Sequence, residues 1–138
     1  MPDASSHTTQ LRVRYSETDQ MGTYYNSRAL EWFEVARTEL LRAMGRAYTS
    51  MESDGLMLPV REARVEYLGR ARYDDLLDLT ATARMLSRAQ IRIDVEIRQA
   101  DSGAVVCRGW TVHVVTNSQG RPIRPPKWFV ELLGPPQG

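Results

Sequence analysis

The feature that most constrains this chain is a change of hydrophobic period near its middle. Across residues 26–44, Ala29, Leu30, Trp32, Phe33, Ala36, Leu40, Leu41, Ala43 and Met44 recur at helical spacing. At about 100° per residue they cover roughly half of a helix circumference. From Pro59 onward that period is gone and alternation takes over. A helix with so wide an apolar face calls for a sheet wrapped around it. Asn26 and Ser27 are placed to cap its free first-turn N–H groups, and Gly45 supplies a left-handed stop.

Alternation marks four runs after the helix. Ala63, Val65 and Tyr67 alternate with charged neighbours up to Gly69, and Leu77, Leu79, Ala81, Ala83 and Met85 form a second series. Ile91, Ile93, Val95 and Ile97 give the cleanest two-residue period. The run 104–116 is apolar on both faces, with Val106, Trp110, Val112 and Val114, and is expected to be the most central strand. Before the helix, Leu11, Val13 and Tyr15 alternate over 10–15 as a first strand. Asp101-Ser102-Gly103 is a hairpin signal, and Asn117-Ser118-Gln119-Gly120 a turn leading into a Pro-rich stretch. Connections this short cannot make parallel crossovers, so the expected class is α+β: a five-stranded antiparallel sheet around one long helix. One domain over 10–134 is expected, with loose tails at 1–9 and 135–138.

Composition removes several functions. With 18 Lys and Arg against 17 Asp and Glu and no basic block, nothing marks a nucleic-acid footprint. One cysteine, Cys107, precludes an internal disulfide and fits a reducing, cytoplasmic setting. No stretch approaches the roughly 20 apolar residues of a membrane span. No metal-ligand spacing and no phosphate-binding glycine loop is present, so neither a metal nor a cofactor is expected. The two histidines, His7 and His113, sit in a tail and a strand and read as structural, as does Cys107.

Asp19 is different. A carboxylate just ahead of a helix N-terminus adjoins unpaired N–H groups and the positive end of the helix dipole. A base or nucleophile beside an oxyanion site is the minimum equipment for acyl transfer to water. The same position also suits an ordinary turn or capping residue.

The segments Y-S-E-T-D-Q-M-G-T-Y-Y-N and W-F-E-V-A-R-T-E-L-L-R, together with V-E-Y-L-G-R-A-R-Y-D-D-L-L-D-L, resemble the hotdog-fold acyl-CoA thioesterases over residues 11–116. The branch is the 4-hydroxybenzoyl-CoA thioesterase type, including the short acyl-CoA thioesterases associated with the Tol-Pal system. The resemblance implies that Asp19 is the catalytic carboxylate, as nucleophile or general base. It implies that Gly22 is the turn glycine and that the backbone N–H at Asn26 polarises the thioester carbonyl. A Tyr or His is usual at that position, so Asn26 is a departure that leaves only a backbone role. Tyr24 and Tyr25 are candidates to line the acyl pocket, and Arg70, Arg72 and Arg88 to meet coenzyme A phosphates. Glu34 and Arg37 match the family helix and read as an i,i+3 pair. Two alternatives stand beside acyl-CoA hydrolysis. One is a non-catalytic acyl-CoA-binding module; the other is a hotdog dehydratase or hydratase, disfavoured by a helix without His. Uncovered sheet surface predicts a homo-oligomer, a dimer at least or a homotetramer of paired hotdogs.

Overall fold

The computed structural model describes residues 5–45 and 48–133. In chain order these form β1 (Ser6–Arg12), a 3-10 turn (Tyr15–Glu17), α1 (Arg28–Ala43), α2 (Tyr48–Ser53), β2 (Val60–Tyr67), β3 (Leu76–Met85), β4 (Gln90–Gln99), β5 (Val105–Val114) and α3 (Lys127–Leu133). The strands make one sheet in the order β1-β3-β4-β5-β2, every neighbouring pair antiparallel. The α+β architecture read from the change of period is the one observed, a hotdog arrangement of sheet and helix.

The core lies between α1 and the sheet face carrying Leu77, Leu79, Ala81, Ala83 and Met85 of β3 and Ile91, Ile93, Val95 and Ile97 of β4, all buried. Against them α1 buries Ala29, Trp32, Phe33, Ala36, Leu40 and Leu41. The helix packs over β1, β3 and β4. At the far edge of the sheet, all of β2 but Val65 is exposed.

Five expectations need correction. The strand β1 starts at Ser6, four residues early, because Ser6 to Arg12 pair residue by residue with Thr82 to Leu76; of the tails expected at 1–9 and 135–138, residues 1–4 and 135–138 lie outside the described residues. The central strand is β4, not β5. Trp110 points to the outer face, with the Arg92 guanidinium 3.9 Å from its ring centroid, so the second apolar face of β5 is covered by a cation rather than by a second layer. On α1, Leu30 is 44% exposed and Ala43 is exposed too, since helix and sheet meet along a stripe narrower than the apolar face. Ser27 occupies the cap position without a side-chain cap bond, its backbone already helical at φ −65° and ψ −21°. Finally, α3 was not expected: seven residues after Pro125-Pro126 are too few to display a period, and Phe129 alone makes its buried anchor.

Candidate active site

Residues 13–27 fold back on themselves between β1 and α1, and most of the bonds that hold them are to backbone. Val13 exchanges hydrogen bonds with 74–75, its N–H donating to Asp75 O and its carbonyl accepting from Asp74 N. A bridge between Thr18 and Tyr24 closes a small loop. Inside it Asp19 N donates to Thr23 O at 2.9 Å and Gly22 N to Asp19 O at 3.1 Å. Gly22, at φ +79°, is where this reversal needs a residue without a Cβ. The loop is then fixed to the β2–β3 connection: Tyr24 N donates to Ala71 O at 2.9 Å, and Ala71 N to Thr23 Oγ1 at 3.2 Å.

Asp19 is half-buried, and its Oδ1 accepts the Met21 N–H at 2.8 Å within the loop. Oδ2 accepts no hydrogen bond among the described residues. One oxygen therefore fixes the rotamer while the other stays available for chemistry. Beyond the loop, Tyr25 N donates to Glu17 O, Arg28 N to Tyr25 O at 2.9 Å and Ala29 N to Asn26 O at 3.3 Å. The N–H groups of Asn26 and Ser27 have no acceptor among the described residues. They form the free positive end of α1.

What ties this loop to the helix is Glu17, a residue sequence reasoning passed over. Its carboxylate, only 2% exposed, accepts Arg14 N at 2.7 Å and the indole Nε1–H of Trp32 at 2.8 Å. Burial alone would raise its pKa, but those two hydrogen bonds and the Arg14 guanidinium outweigh it and leave the group below its ordinary 4.5. A signal was present: a core Trp needs an acceptor for its N–H, and Glu17 is an acid in the preceding loop.

Of the two tyrosines, Tyr24 is a core residue, its ring 4.9 Å from Trp32 and its phenol oxygen buried without a nitrogen or oxygen partner. It faces the Cys107 thiol, which burial pushes up to about 12, so this sulfur stays protonated at neutral pH. Tyr25 is 56% exposed beside Asn26. Arg70 and Arg72 flank Ala71 and so stand next to the Asp19 loop, both exposed. Arg88 does not join them. It sits in the β3–β4 turn, at the far end of two ten-residue strands, roughly 30 Å along the sheet. His113 also lies at that end, its Nδ1 2.8 Å from Leu58 O and its Nε2 2.8 Å from Thr111 Oγ1. Burial first, and then Arg37, lower its pKa to about 4. Neutral at pH 7, it donates from Nδ1 and accepts from Thr111. Glu34 and Arg37 line a cleft of about 200 Å³ beside it. Among the described residues no cluster of three or more His, Cys, Asp or Glu is gathered to hold a metal.

Residues 13–133 match the family model of the thioesterase-like superfamily. An Aquifex aeolicus relative whose name goes no further than esterase is 30% identical over 122 residues, covering 88% of this chain and 93% of its own. The acyl-CoA thioester hydrolase YbgC of Escherichia coli O6:H1 is 35% identical over 69 residues, 50% of this chain and 52% of that protein. The chain thus matches about half the length, or less, of the curated relatives named for acyl-CoA. Among solved structures, a 1,4-dihydroxy-2-naphthoyl-CoA thioesterase from Synechocystis superposes with a TM-score of 0.85 at 23% identity, over 93% of this chain and 95% of that one. That likeness is one of fold.

Proposed function

This chain belongs to the thioesterase-like superfamily, and we infer from that membership and from the Asp19 loop that it hydrolyses acyl-CoA thioesters to a free acid and coenzyme A. The observation carrying the chemistry is a single juxtaposition. A carboxylate with one oxygen fixed by Met21 N–H and one open lies in the loop that leads into two unpaired N–H groups at the start of α1. The thioester carbonyl oxygen takes the Asn26 and Ser27 N–H groups, where negative charge develops as the carbonyl is attacked. Asp19 is either the base that deprotonates the attacking water or the nucleophile, in which case water then hydrolyses the acyl-aspartyl anhydride, releasing the acid and restoring the carboxylate. Thioesters are electrophilic enough for one carboxylate to suffice, and coenzyme A leaves as its thiolate, protonated by solvent.

Arg70 and Arg72, exposed next to that loop, remain the groups for the phosphates of coenzyme A; Arg88 takes that part only at a site completed by a second copy. Exposed Leu30 and Val35 on α1 and Val60, Tyr67 and Leu68 along the β2 edge support a homo-oligomer, as a dimer or a homotetramer. No helix among the described residues is long and apolar enough to cross a membrane. A single buried free thiol suits a reducing cytoplasm. The decisive test is hydrolysis of a panel of aromatic, short and long acyl-CoA thioesters by wild type and Asp19→Asn. Turnover by wild type lost in the variant, with acyl-CoA binding kept, supports the reading. Binding without turnover in the wild type itself leaves an acyl-CoA-binding module.

A further inference from the structure

The α1 entrance lacks a side-chain cap, yet one of its two free N–H groups belongs to a peptide held from outside the helix. The Tyr67 hydroxyl, reaching across 41 positions from the end of β2, donates to the carbonyl oxygen of Asn26 at 3.0 Å. That carbonyl and the Ser27 N–H are the two ends of one planar peptide unit, so a donor on the oxygen fixes and polarises the N–H. Among the described residues the one other donor to this oxygen is Ala29 N, at a long 3.3 Å. The preceding unit, carrying the Asn26 N–H, needs no such help, because Arg28 N closes on Tyr25 O at 2.9 Å.

From this asymmetry we infer that Tyr67 is a positioning residue for thioester hydrolysis: it orients the Asn26–Ser27 peptide so that Ser27 N–H serves as the second oxyanion donor. The assignment rests on the acyl-CoA reading above. Tyr67 is itself held, its ring 6.3 Å from that of Tyr24, which packs on Trp32, and its backbone paired with Cys107. Burial and the nearby Cys107 raise its pKa above the ordinary 10, so the hydroxyl stays a donor throughout the neutral range. The hydrogen bond joins the exposed edge strand directly to the peptide that polarises the substrate.

Tyr67→Phe keeps the ring and removes only the donor. Its kcat on the best thioester of the panel falls roughly 3- to 10-fold, the scale of one neutral hydrogen bond, with KM and melting temperature unchanged. In the Asp19→Asn background, which binds without turnover, the carbonyl stretch of bound acyl-CoA is red-shifted from its free value. Adding Tyr67→Phe moves it back toward the free value. A kcat equal to wild type, a loss carried by KM alone, or an unmoved carbonyl stretch overturns the role of Tyr67 while hydrolysis by the wild type stands. A wild type that hydrolyses no thioester overturns the acyl-CoA reading itself, and the Tyr67 role with it.

Discussion

The two ends of α1 are built on opposite principles. At the N-terminal end the neighbours are polar and distant in sequence: Glu17 on Trp32, Ala71 on Tyr24 and Tyr67 on Asn26. In its C-terminal half the helix presents Ala36, Leu40 and Leu41 to an apolar sheet face, and the titratable group nearby, His113, has both ring nitrogens satisfied. Among the described residues, one end leaves a carboxylate oxygen and two N–H groups open, while at the other the buried His113 has both ring nitrogens bonded. The C-terminal half contributes packing, and the proposed chemistry falls at the end where distant chain segments hold polar groups. Asn26 and Ser27 are exposed, so their N–H groups face water and are open to a ligand without a burial penalty.

The contrast is breakable by mutation. Leu40→Ala, at a fully buried position, lowers stability by about 2–5 kcal/mol in denaturant titration while the folded fraction keeps its turnover. Asp19→Asn does the reverse, costing at least about 10²-fold in kcat with a near wild-type melting temperature, since Asn still accepts the Met21 N–H. If the two variants exchanged these phenotypes, the division of labour along α1 would be wrong.

Glu17→Gln tests the tie between the loop and the N-terminal end of α1, and its effect on stability is about 1–3 kcal/mol, because a buried charged acceptor is replaced by an amide. The sign with pH follows from a folded-state pKa below 4.5. The stability Glu17 contributes is complete above the unfolded value and disappears as pH falls through the folded one. Wild type thus loses more stability on acidification below 4.5 than Glu17→Gln does. His113 acts in a higher window. Its pKa drops from 6.5 to about 4 on folding, so the unfolded chain binds more protons between those values and stability declines as pH falls from 6.5 to about 4. Melting temperatures of His113→Gln lack that slope. The smallest effect is expected from Arg28→Ala, whose pair with Glu31 at 2.9 Å lies at the surface, so its melting temperature stays at the wild-type value.

How much of this was legible in the chain differs between fold and site. Periodicity located α1 and four strands and caught only the end of β1, because alternation and helical spacing are local consequences of which face meets water. It misjudged Trp110 and Leu30, since an apolar residue on a wide stripe says nothing about how far the covering layer extends. Asp19 was visible as a carboxylate before a helix start and by family resemblance. The hydrogen bonds of Glu17 and Tyr67 were not, their partners lying 15 and 41 residues away.

By itself the sequence determined the helix, the alternation of the strands, the turn at Gly22 and the place of Asp19 ahead of an N-terminus. These are set by backbone preferences and periods that act over a few residues. Only the tertiary structure decided that β4 rather than β5 is central, that Tyr24 is core while Tyr25 faces water, and that Arg88 stands a sheet's length from Arg70 and Arg72. It also decided which first-turn N–H groups stay open and which distant side chain holds their peptide. The reason is physical: strand order, burial and hydrogen-bond partners are properties of pairs of segments, and a pair is formed only when chain closure brings both members together.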